Sequence, residues 1–120
     1  HALIIPERGS ASINDGAIKS SSGALLRLPV CRVPRIADAL EYLVNSGISC
    51  IALTEKSTTS LPKSKAVAPF CLVLGDEFEG ISPEIMDLCE QQLLIPMHGK
   101  ISSLNVSVSA GIALYALTQK

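Results

Sequence analysis

Tryptophan is absent from this 120-residue chain, and with two phenylalanines and two tyrosines the aromatic share is only 3%. The core therefore has to be built from Leu, Ile, Val and Ala. Charge is sparse as well: 18% of residues are charged against 48% hydrophobic, which excludes a disordered chain and fits one domain with a single buried core. No apolar run approaches the roughly 18 residues needed to cross a bilayer. The opening stretch, His1 to Arg8, has neither a basic leader nor a long apolar segment, so no secretory signal is expected. Cys31, Cys50, Cys71 and Cys89 are widely spaced, and no C-x-x-C pair occurs. That spacing argues against a zinc site and against a disulfide framework, and no metal site is expected. Cys31, Cys50 and Cys71 fall within apolar runs, where they are expected as buried thiols. The cytoplasm is the default location. Neither G-x-G-x-x-G nor G-x-x-x-x-G-K-[ST] occurs, which removes the common nucleotide-binding loops.

The formal net charge is only −1, which disfavours a strong nonspecific nucleic-acid binder, but it is unevenly spread. Residues 1–65 carry eight basic and five acidic side chains, and residues 66–120 carry two basic and six acidic. A protein that met RNA phosphates with its first half alone would have this asymmetry, although surface solvation accounts for it equally well.

Apolar runs alternate with helical patterns along the whole chain. Strands are expected at Ala2–Ile5, stopped by Pro6, and at Leu28–Val33, Ile48–Leu53, Phe70–Leu74 and Leu93–Pro96. Helices are expected from Asn14 to Leu26, from Ile36 to Val44, after Ser82-Pro83-Glu84, and from about Ser103 to Thr118. Thr54 to Lys65, rich in Ser, Thr and Lys, reads as a polar loop. Near-continuous apolar strands separated by helices imply an α/β fold with a mostly parallel sheet and helices on both faces.

Two segments directly follow strands, where open α/β sheets place ligands. The first is LGDEFEGIS, Leu74 to Ser82. Gly75 and Gly80 allow close approach and a tight turn, and Asp76, Glu77 and Glu79 lie between them. No Lys or Arg lies between Lys65 and Lys100, so this acidic loop suits a cationic or hydroxyl-rich ligand better than a polyphosphate. The second is IPMHGKISSLNVS, Ile95 to Ser107. There a glycine-bearing loop leads into a helix whose first turn is expected to present Ser103, Asn105 and Ser107 to a polar ligand, with Ser102 or Ser103 as the alternative, purely structural, cap. His98 in this loop reads as a histidine without catalytic duty. Along the final helix Ser103, Ser107, Gly111 and Tyr115 recur at every fourth position, and apolar residues occupy nearly every side, which predicts burial on more than one face and a homodimer.

Together these segments resemble the second and third signature motifs of the SpoU/TrmH branch of the SPOUT (α/β-knot) RNA methyltransferases. The stretch from Ser20 through Val30 is similar to the family's middle region, so the resemblance spans essentially the whole chain, residues 1–120, as one catalytic domain. It implies a carboxyl-terminal trefoil knot, an exception to the rule that chains avoid threading. It also implies S-adenosyl-L-methionine as cofactor and the ribose 2′-hydroxyl of a structured rRNA or tRNA as acceptor. By position, Leu74 and Gly75 lie beside the cofactor, Ile95 and Met97 line its adenosine pocket, and Leu104 closes it. Glu77 matches the acid of motif two. Ser103 and Asn105 match the polar pair of motif three near the reacting centre.

The chain departs from the family pattern twice. Phe78 stands where family members commonly have glycine. The first motif, an Asn-x-Gly-Ala-type run followed by an arginine, has no counterpart; Asn14-Asp15-Gly16-Ala17 imitates it but sits in the wrong order of elements. The chain is therefore expected to start after the first βα unit and, alone, to be catalytically silent, because a 2′-hydroxyl needs activation as well as positioning. The alternative reading is a noncatalytic module of the same fold that binds S-adenosylmethionine or RNA.

Overall fold

A computed structural model describes residues 1–119, which divide into two compact units, residues 1–39 and residues 40 onward. In the first, strand β1 (Leu3–Pro6) pairs in parallel with β2 (Val30–Val33), Leu3 opposite Val30 and Pro6 opposite Val33. Between them runs a short helix, α1 (Asp15–Ser20), whose first turn is capped by the Asn14 carboxamide accepting from the Ala17 N–H at 3.0 Å. Asn14 is thus a helix cap, which accounts for its presence there without a catalytic motif. The expected helix from Asn14 to Leu26 is broken. Ser22 and Gly23 take positive φ, and the chain resumes as a 3₁₀ turn at Ala24–Arg27.

Helix α2 (Ile36–Asn45) buries Ala37 and Leu40, three residues apart on one face. The chain leaves it through Gly47, whose φ of +83° allows the Ile48 N–H to turn back onto the Leu43 carbonyl at 3.0 Å.

In the second unit β3 (Ser49–Leu53) lies between β4 (Phe70–Leu74) and β5 (Gln91–Leu93), all parallel. Leu53 pairs with both Leu74 and Leu93, so the carboxyl ends of the three strands share one edge. As the central strand, β3 has Cys50, Ile51 and Ala52 fully buried. Helix α3 (Pro83–Leu88) begins where expected, with Ser82 as its cap. Helix α4 (Val106–Thr118) lies against β4, and its Ala113 and Leu117 join Ile51, Leu61 and Leu93 in the core.

Several expectations are corrected. The five strands form two parallel sheets of two and three strands where one sheet was expected. Strand β5 covers Gln91–Leu93 instead of Leu93–Pro96, because Leu94 turns to the loop beside it and Pro96 has no N–H for a ladder. The polar loop is anchored: Leu94 donates to the Thr59 carbonyl at 2.9 Å and accepts from the Leu61 N–H at 2.8 Å, which drives the Leu61 side chain into the core. Helix α4 starts at Val106, so Ser103 lies before it, and the cap is Asn105 instead of Ser102 or Ser103. Cys31 is exposed, since β2 belongs to a two-stranded sheet without the burial of β3. Cys50 is buried as expected, and burial pushes its thiol up to about 12. Cys71 and Cys89 are half-buried, and their thiols are likewise raised, that of Cys89 to about 11. No described helix is long and apolar enough to cross a membrane.

Candidate functional site

The shared carboxyl edge of β3, β4 and β5 opens into a cavity of about 560 Å³, within the usual size range for a small-molecule site. The residues expected to hold cofactor or substrate line it, except Ser107, which is turned to the Asn105 side chain. Leu74, Gly75 and Glu77 come from the end of β4, Ile95 and Met97 from the segment after β5, and Ser103, Leu104 and Asn105 from the approach to α4. His98 is exposed and is not among the lining residues.

Gly75 is required by packing. A Cβ there would lie 2.6 Å from the Gly80 carbonyl carbon and 2.8 Å from the Ile81 nitrogen, both backbone atoms that cannot swing aside. The loop between them is closed by paired hydrogen bonds, Asp76 N–H to Gly80 carbonyl at 3.2 Å and Gly80 N–H to Asp76 carbonyl at 2.9 Å. The Asp76 carboxylate accepts from the N–H groups of Phe78 (2.7 Å) and Glu79 (3.0 Å) inside it. These two bonds, Glu79 first, hold the Asp76 carboxyl below its usual range by favouring the charged form. The loop is therefore internally braced, while Glu77 and Glu79 remain exposed at the cavity.

On the far side Asn105 uses its side-chain oxygen to cap α4. That oxygen accepts from the Ser107 N–H at 2.9 Å and from the Ser107 hydroxyl at 2.6 Å. The carbonyl is committed to the helix, and among the described residues the side-chain NH₂ has no partner and is available to a ligand. Ser103 likewise makes no hydrogen bond among the described residues. No serine hydroxyl of the cavity is hydrogen-bonded to a carboxylate or histidine among them, so no serine nucleophile with an adjacent base is assembled here.

Sequence reasoning missed the wall supplied by β3. Leu53, Thr54, Glu55 and Lys56 all line the cavity. Thr54 is the buried polar residue among those described; its N–H donates to the Leu93 carbonyl at 2.8 Å, and its hydroxyl oxygen accepts from the Lys56 N–H at 3.2 Å. This fixes where Glu55 and Lys56 leave the sheet. The available signal was positional: residues after a third parallel strand must reach the same edge. The lining carries the carboxylates of Glu55, Asp76, Glu77 and Glu79 against the single ammonium of Lys56, and aliphatic groups from Leu53, Leu74, Ile95 and Leu104. It is built for a ligand that is part cationic and part apolar. Among the described residues no cluster of three or more His, Cys, Asp or Glu side chains is placed to hold a metal ion.

The family model of the SpoU rRNA methylase family matches residues 1–115. The chain belongs to that family. A 23S rRNA (guanosine-2′-O-)-methyltransferase of Yersinia pestis is 34% identical over 120 residues, which are all of this chain and 49% of that protein. An uncharacterised tRNA/rRNA methyltransferase of Mycobacterium leprae is 33% identical over 120 residues, again all of this chain and 39% of its own length. Among solved structures, the SpoU methyltransferase AviRb of Streptomyces viridochromogenes, in complex with the cofactor AdoMet, superposes with a TM-score of 0.85 at 27% identity, over 97% of this chain and 48% of that one. The chain spans about half or less of the length of the curated relatives it matches.

Proposed function

We propose that the chain is the part of a SpoU methyltransferase catalytic domain that follows the first motif, and that its cavity holds S-adenosylmethionine for methylation of a ribose 2′-hydroxyl in rRNA or tRNA. The observation that carries this reading is the convergence of both sequence motifs on one cavity at the carboxyl edge of a parallel sheet. The donor set fits the ligand. Aliphatic Ile95, Leu104 and the Met97 side chain offer an apolar wall for an adenine ring, and the carboxylates of Glu77 and its neighbours favour a sulfonium cation. Bound there, S-adenosylmethionine supplies an electrophilic methyl group.

The chain's own residues then position and solvate the reactants. Gly75 keeps the end of β4 in contact with the Gly80 backbone, which sets the position of the loop that lines the cavity. Glu77 faces the site as an exposed carboxylate able to accept a hydrogen bond from a hydroxyl. Ser103 and the Asn105 side-chain NH₂ orient a polar substrate group, and Leu104 between them excludes water. Methyl transfer requires the acceptor oxygen in line with the methyl group, so this positioning supplies much of the rate. The trefoil threading of the segment before α4 and a homodimer through α4 belong to the same proposal. Val108, Ile112 and Tyr115 support the dimer: they share one side of α4 and are 49%, 40% and 70% exposed.

The test is transfer of a labelled methyl group from S-adenosylmethionine to total RNA by the protein extended upstream through a first motif. A 2′-O-methyl group blocks alkaline cleavage at its own nucleotide, so the expected label survives hydrolysis in dinucleotides. Label released as mononucleotides means base methylation and contradicts the 2′-hydroxyl assignment.

A further inference from the structure

Phe78 is 95% exposed, the most exposed large apolar residue of the chain, yet it lines the cavity. An apolar ring left in water on a mobile tip would carry no meaning; the backbone that carries this one is held. The Asp76 carboxylate accepts from the Phe78 N–H itself at 2.7 Å, and the Asp76–Gly80 pair of backbone bonds closes the loop on either side. Its immediate neighbours Asp76, Glu77 and Glu79 are all exposed carboxylates, and the pKa of Asp76 is depressed, so it stays ionised. The ring therefore stands at the cavity mouth inside a negatively charged rim.

Such a rim offers phosphate no ion pair, so it does not serve to hold the backbone of a nucleic acid. What it leaves open is the uncharged π-face of a base. Resting on the methyltransferase reading above, we propose that Phe78 is a stacking platform for an unpaired base of the RNA substrate, next to the ribose presented to the cavity. Single-stranded RNA is recognised largely by splaying bases onto aromatic side chains, and one such stack is worth roughly tenfold or more in affinity. Because no cation is involved, its contribution does not release counterions and is insensitive to salt. Phe78 acts as a positioning residue: it touches the substrate away from the reacting atoms and selects unpaired over duplexed nucleotides.

The experiment compares wild type, Phe78→Ala and Phe78→Trp, each extended upstream, for binding of an adenosine octaribonucleotide, a ribose-phosphate octamer lacking bases, and S-adenosylhomocysteine. The platform predicts that Phe78→Ala weakens the adenosine octamer about tenfold, by the same factor at low and high salt. It predicts near-wild-type affinity for Phe78→Trp, and for every variant unchanged binding of the baseless octamer and of S-adenosylhomocysteine. The loop's hydrogen bonds use the backbone of residue 78, so the alanine variant keeps them. Equal octamer affinity for wild type and Phe78→Ala overturns the platform, as does loss of S-adenosylhomocysteine binding in Phe78→Ala, which would make the ring a cofactor lid. Wild type that binds S-adenosylhomocysteine but not the octamer overturns the platform and leaves the methyltransferase reading standing. Wild type that binds neither ends both.

Discussion

Gly75 is the position at which one methyl group decides the shape of the site. A Cβ 2.6 Å from the Gly80 backbone has to push the Asp76–Gly80 loop outward, and that loop forms one side of the cavity. Overpacking of this kind costs about 1–3 kcal/mol. Gly75→Ala is therefore expected to weaken S-adenosylhomocysteine binding at least tenfold and to lower the denaturation midpoint modestly, with calorimetry and urea unfolding as the measurements. Unchanged affinity would mean that the loop is not part of the ligand site. Asp76 and Phe78 show the same economy of parts: the aspartate braces the loop from within, and the phenylalanine it braces is turned out to solvent.

At the scale of elements, the loop between β3 and β4 is less of a loop than its composition suggests. Leu61, 2% exposed, belongs to the same core as Ile51, Leu93 and Leu117 although polar residues surround it in sequence. Leu61→Ala is expected to cost about 2–5 kcal/mol, the range for core leucines, where an exposed loop leucine would cost under 0.5. Urea unfolding measures it directly. Helix α4 has the opposite character. It buries Ala113 and Leu117 but leaves Val108, Ile112 and Tyr115 to water, an apolar stripe that a second copy would cover. Light scattering at micromolar concentration should give twice the chain mass, and Ile112→Glu should return it to monomer. A monomer in wild type counts against the dimer.

These elements also show what could be read in advance. Strand β4, helix α2 to within a residue, and the Ser82 cap of α3 were legible, because apolar runs, a helical period and a Ser-Pro start are local signals. The start of α4 was not: Ser102, Ser103 and Asn105 are all good caps, and only tertiary placement selects Asn105. Burial of Leu61 and exposure of Cys31 depend on neighbours distant in sequence, so periodicity could not decide them. The candidate site was legible to the extent that both motifs follow parallel strands, whose carboxyl ends must meet. The wall from Leu53 to Lys56 was hidden in a stretch of polar composition with no period.

For the molecule as a whole, the groups proposed to position a substrate line the cavity, whereas among the described residues no serine hydroxyl there is hydrogen-bonded to a carboxylate or histidine. The 120-residue chain is accordingly expected to bind cofactor without transferring methyl groups, and the version extended upstream to transfer them. Robust transfer by the short chain would mean that a residue within it, Glu77 or His98, serves as base. The central claim of the proposed function is that the cavity holds S-adenosylmethionine. Leu104 lines that cavity, is only half-buried and stands outside the core cluster, so Leu104→Arg is expected to fill the apolar wall with a charged stem and leave the fold intact. Calorimetric titration with S-adenosylhomocysteine should show saturable binding at one site per wild-type chain and none in Leu104→Arg. Absence of binding in the wild type, or binding that survives Leu104→Arg undiminished, would contradict the assignment.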